Sequence, residues 1–89
     1  MSTGLTRLYT IYKHGKVTIE NGLSFKDISL PSNYFSENTL ENPIVVSLTA
    51  VGENIELNVS DISKNSFRIN KSETTEVVVN YMVSQDKYK

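Results

Sequence analysis

His14 is the only histidine in the chain and the natural starting point for any proton-transfer chemistry, with Tyr9, Tyr12 and Lys13 close by. A general base needs a group to deprotonate within hydrogen-bond reach and a third group that orients it. No nucleophile or orienting carboxylate is identifiable beside His14. Ser60, Asp61 and Ser63 are neighbours in sequence, but a triad is defined by a histidine held against the serine in space. The expected role of His14 is a surface residue next to a glycine; no catalytic residues and no enzymatic activity are expected. Asp27, Glu53, Glu56 and Asp61 could meet a hard cation, which takes about six to eight oxygens. The Asp/Asn/Gly spacing of such loops is missing, so no metal site and no cofactor are expected.

Binding chemistry has better candidates. Arg7, Lys13, His14 and Lys16 interleave with Tyr9 and Tyr12. Cations for phosphates and rings for bases would suit a nucleic-acid footprint. A docking arm against another protein suits this composition better; its residues are Leu5, Arg7, Leu8, Tyr9, Ile11 and Tyr12. Asn33, Tyr34 and Phe35 form a possible ligand contact, because an exposed ring stacks on the apolar face of a sugar. The alternative is that the aromatic pair after Leu30-Pro31 plugs the core. The run from Thr75 to Val83 is apolar on both of its faces, and a half-buried strand needs only one. In a short chain the second face is expected to be covered by another copy. Val45, Val51, Val78 and Met82 are the expected interface residues, unless they pack beneath the N-terminal arm or the loop 38–43.

The bulk properties agree. At 89 residues this is one domain, small enough for subunit contacts to supplement the core. A net charge of −1 argues against a general nucleic-acid binder, and no apolar run is long enough to span a bilayer. The absence of cysteine excludes disulfides and thiol chemistry. Residues 1–7 lack the apolar core of a secretory signal, so a chain made in the cytoplasm is expected, with no membrane partner.

The elements that must position these residues read as strands. Leu8–Tyr12 is β-prone and His14-Gly15 breaks it. Lys16–Glu20 then alternates, and Asn21-Gly22 predicts a type I′ hairpin into Leu23-Ser24-Phe25. The spacing of Phe25, Ile28 and Leu30 predicts a bulge at Lys26-Asp27, and Pro31 closes that strand. Ser32–Ser36 makes one turn, and 38–43 a loop. Ile44–Val51 is a long strand with Ile44, Val46, Leu48 and Ala50 on one face. Gly52-Glu53-Asn54 turns into Ile55–Ser60, and Asp61–Asn65 turns again into a strand carrying Phe67 and Ile69. Lys71–Thr74 is a polar gap, and the last strand ends near Val83. The predicted fold is all-β, a compact antiparallel β-sandwich of about six to eight short strands. Its parts are an arm (1–14), the sandwich domain (15–84) and a frayed polar tail (85–89).

This order of elements resembles a small all-β module that recurs in bacteriophage tail fibres, tail spikes and virion surface proteins. The resemblance covers roughly residues 15–87. It is carried by Gly15-Lys16-Val17-Thr18-Ile19, Asn21-Gly22, Leu30-Pro31, Val45–Gly52, Leu57-Asn58-Val59, Ser66–Ile69 and Val77–Val83. The chain departs from the pattern in its loops. Ala50-Val51-Gly52 stands where Pro-x-Gly is common, Lys71–Thr74 replaces a glycine-rich loop, and Ser84–Lys87 replaces a basic run. Those departures fall in the loops and leave the order of strands intact. Such modules generally form trimers. The resemblance therefore implies a non-enzymatic virion structural protein, assembled in the host cytoplasm. Its partners would be itself, as a homotrimer, and capsid or tail subunits. With no shaft in these residues, a capsid decoration or cement protein is expected ahead of a tail fibre or a receptor- or carbohydrate-binding tip.

Overall fold

The computed structural model describes residues 8–52 and 55–88, which contain no helix. Six strands form: β1 (Leu8–Ile19), β2 (Phe25–Ser29), β3 (Val45–Val51), β4 (Leu57–Ser60), β5 (Ser66–Lys71) and β6 (Val77–Tyr88). They make two antiparallel three-stranded sheets, ordered β1-β6-β3 and β2-β5-β4. β1 and β3 flank β6 in one sheet, and β2 and β4 flank β5 in the other. The two sheets make an antiparallel β-sandwich around a shared core.

Alternation places the core. Ile19, Val77, Val79 and Val83 of one sheet face Ile28, Phe67 and Ile69 of the other, with Leu30, Phe35 and Ile44 closing in from the loops. Each such side chain contributes roughly 1.5–3 kcal/mol on leaving water. Tyr81 packs edge-on against Phe67, with ring centroids 5.4 Å apart.

The strand break expected at His14-Gly15 is absent: β1 runs through it for twelve residues. Gly15 pairs with Tyr81, and a Cβ at position 15 would lie 2.6 Å from the Tyr81 hydroxyl. The glycine makes room for the ring, so the ladder continues where sequence suggested a gap. Residues 8–14 of the expected arm are thus strand, paired with Met82–Tyr88.

The expected hairpin is also replaced. β1 and β2 lie in different sheets, so Asn21-Gly22 joins sheets. Gly22 has a φ of 95° while Asn21 is not in the positive region, and Leu23 N–H donates to Glu20 O at 3.2 Å. Positive φ at the third turn position alone marks type II, whose twist splays strands, whereas type I′ needs both. No bulge occurs at Lys26-Asp27, where the β2–β5 register is continuous. Phe25 is instead on the outer face, its ring 4.2 Å from the Arg68 guanidinium, and only Ile28 and Leu30 point inward.

The frayed tail is a strand too. β6 continues to Tyr88 because Gln85, 2% exposed, is satisfied by backbone. Its amide donates to Ser36 O, Glu37 O and Asn42 O, and its carbonyl accepts from Ser36 N–H. The other end of the sandwich is closed similarly. Lys71, expected in a polar gap, ends β5 buried, its ammonium donating to the carbonyls of Ile19, Glu20 and Thr75. The twelve-residue strands β1 and β6 make the longest ribbon of the fold.

Candidate functional site

The strand register brings the expected interface residues together. On β6, odd residues point into the core, so Val78, Asn80, Met82 and Ser84 point out. Across the sheet they form rows: Thr18–Val78–Val51, Lys16–Asn80–Thr49, His14–Met82–Ser47 and Tyr12–Ser84–Val45. Val45, Val51, Val78 and Met82 therefore share one outer face. Val45 is 51% exposed, Val51 45% and Met82 41%, with Tyr12 beside them at 53%. Val78 is half-buried. Neither the arm nor the loop 38–43 covers these residues among the described residues, which leaves Val45, Val51, Met82 and Tyr12 exposed on an otherwise mostly polar face.

The rows also set its texture. Ser84 is flanked across the strands by Tyr12 and Val45, with Met82 two residues away on the same face. Tyr12, Val45 and Met82 thus form one cluster around this small residue. Polar residues of the Lys16–Asn80–Thr49 row separate it from the Val51–Val78 patch.

Of the expected docking arm, Leu5 and Arg7 lie outside the described residues. Leu8, Tyr9, Ile11 and Tyr12 belong to β1; Tyr9 is exposed and Ile11 packs against the core. Among the ligand-contact candidates, Phe35 is 4% exposed and belongs to the core, so it presents no surface to a ligand. Asn33 takes a φ of 62° in the turn before it. Tyr34 is exposed, but its hydroxyl donates to Tyr12 O at 2.8 Å and its ring meets Phe35 edge-on. It ties this turn to the open edge of β1.

The candidates for chemistry stay apart. His14 lies on the outer face of β1, opposite Met82, whereas Ser60 sits on β4 in the other sheet, where its hydroxyl accepts from Asn70 Nδ2. Ser63 Oγ accepts the amides of Asn65 and Ser66, capping the β4–β5 loop. Glu53 is outside the described residues. Asp27 is engaged by Arg68 through bonds of 2.8 and 3.3 Å, which hold its carboxyl below the usual range.

The second sheet offers a polar outer face. Asn70 Nδ2 bridges Asn58 Oδ1 and Ser60 Oγ. Beside it lies a cleft of about 350 Å³ lined by Glu56, Leu57, Asn58, Asn70, Lys71 and Ser72. Sequence reasoning missed this cleft, because it depends on β4 and β5 pairing in register. It also missed Leu40, wholly exposed at the tip of the loop before β3. An isolated leucine between polar residues was the one available signal.

Comparison with protein-family models finds no match, and comparisons with curated proteins and with solved structures find none either.

Proposed function

We propose that this chain is a non-enzymatic bacteriophage virion structural protein that works as a homotrimer, decorating or cementing the capsid. The observation that carries the assembly part is the convergence of Val45, Val51, Val78 and Met82 on one outer sheet face. A small sandwich that leaves such a face uncovered gains stability by burying it against another copy. The phage assignment draws on the resemblance of the strand order to tail-fibre, tail-spike and virion surface modules. The mechanism is multivalent. Each copy contributes a modest patch, and three linked copies hold a lattice far more tightly than one through effective concentration.

A second reading, a tail-fibre or receptor-binding tip, draws on the cleft at Asn58 and Asn70 with exposed Phe25 on the same outer face. Amides that read hydroxyls beside an open ring suit a saccharide. Glycan-array binding that is lost in Asn70→Ala with unchanged melting would favour this role.

Light scattering or native mass spectrometry of the purified chain tests the leading reading. A stable species of three chain masses is expected. A strict monomer at high concentration would overturn the homotrimer.

A further inference from the structure

Asn21-Gly22 is the only Asn-Gly pair in the chain, and it stands exposed in the turn between β1 and β2. Such a pair carries its own reaction. The Gly22 backbone nitrogen can attack Cγ of the Asn21 side chain, since glycine has no Cβ to obstruct the approach. A bond forms between Gly22 N and Asn21 Cγ, and the Cγ–Nδ2 bond breaks. The Gly22 proton passes to hydroxide, and Nδ2 takes a proton from water and leaves as ammonia. Water then adds across either C–N bond of the cyclic imide, leaving Asp or iso-Asp at position 21. Water is the only other reactant.

The folded chain guards the attacking atom. A backbone nitrogen becomes nucleophilic only by losing its proton, and Gly22 N–H donates to Thr74 O at 2.6 Å. Deprotonation forfeits that bond and leaves the carbonyl without its donor. The acceptor is itself held in place. Lys71 Nζ donates to Thr75 O, next to Thr74, and also to Ile19 O and Glu20 O, where β1 runs into the turn. One buried ammonium thus fastens the loops 20–24 and 72–76 beside the point where Gly22 meets Thr74.

We infer that Asn21 is a deamidation site held closed by the Lys71 clamp, so that its conversion to Asp or iso-Asp records opening of this end of the sandwich. Either product adds a carboxylate beside Glu20, and iso-Asp lengthens the main chain by a methylene. A copy that has opened and reacted therefore re-forms the Gly22–Thr74 contact less well. The inference is independent of the oligomeric state.

Peptide mapping by mass spectrometry, over time in mildly alkaline buffer, measures the converted fraction at Asn21. The native chain should convert roughly tenfold more slowly than the same chain in urea, the factor that protection by about one hydrogen bond supplies. Folded Lys71→Met should convert faster than folded wild type, and the two should match in urea. General loss of stability is separated by Ile44→Val or Ile44→Ala, whichever equals Lys71→Met in melting temperature. Ile44 is buried at the opposite end of the sandwich, so its truncation should leave the Asn21 rate near that of wild type. Equal rates in native buffer and urea would overturn the protection. An Ile44 variant as fast as Lys71→Met would overturn the clamp. If Lys71→Met does not fold, deuterium exchange of the Gly22 amide in the native wild type replaces it: slow exchange is expected, and exchange as fast as in urea would overturn the inference.

Discussion

At the residue scale, polar side chains here do their work on backbone or on one another. Asp27 accepts the Arg68 guanidinium, and Glu20 is held below its usual range by a backbone amide hydrogen bond first and by Lys26 next. A carboxylate whose folded pKa lies below its unfolded value stabilises above the unfolded value, and that contribution is lost as pH falls through the folded one. The melting temperature should be flat between neutral pH and about pH 5, then fall in acid. Asp27→Asn should reduce the acid slope without shifting the neutral plateau far, because the pair is solvent-exposed and screened. A melting curve at each pH checks this; an unchanged acid slope in the variant would remove Asp27 from the account. Lys71 is different, being buried with its ammonium on three carbonyls. Lys71→Met keeps the length but leaves those acceptors unpaired, and should cost about 1–3 kcal/mol in urea unfolding at unchanged slope.

At the scale of elements, β6 is the organising strand. It is central in its sheet, pairs on both sides, and divides its residues between the core and the outer face. Val79 is fully buried and Val78 faces outward half-buried. Val79→Asp should abolish folding, since an unpartnered carboxylate in the core costs more than a small domain can spare. Val78→Asp should fold and lose assembly instead. Circular dichroism and solution mass separate the outcomes; if the two variants behave alike, the division of faces is wrong. β1 depends on the same partner. Gly15 survives mid-strand because Tyr81 occupies the space a side chain would take.

At the scale of the whole molecule, two thin sheets enclose a modest core, and Lys71 and Gln85 close its ends together with the loop residues Leu30, Phe35 and Ile44. Such a domain has little stability in reserve. Its outer face is where reserve can be gained. In the proposed homotrimer, assembly would couple folding to concentration, so dilution should lower the melting temperature. That trend, with the solution mass, tests the proposed association by an independent route.

The sequence by itself determined the all-β class and the facing of most strands. Val46, Leu48 and Ala50, or Phe67 and Ile69, alternate because the pleat repeats every two residues whatever the partner. It also singled out Val45, Val51, Val78 and Met82, since apolar residues on a strand's second face are visible without knowing the neighbours. Tertiary structure decided the pairing. Asn21-Gly22 is compatible with a hairpin or with a crossover, and β1 was drawn to β6 by matched inner faces at the far end of the chain. Gly15 read as a break because the ring that fills its place belongs to that distant strand. Gln85 and Lys71 read as solvent-facing because their partners are mostly backbone carbonyls, which every residue carries and which leave no mark in sequence. Local periodicity is written in neighbouring residues; long-range pairing and backbone capture exist only once the chain has closed.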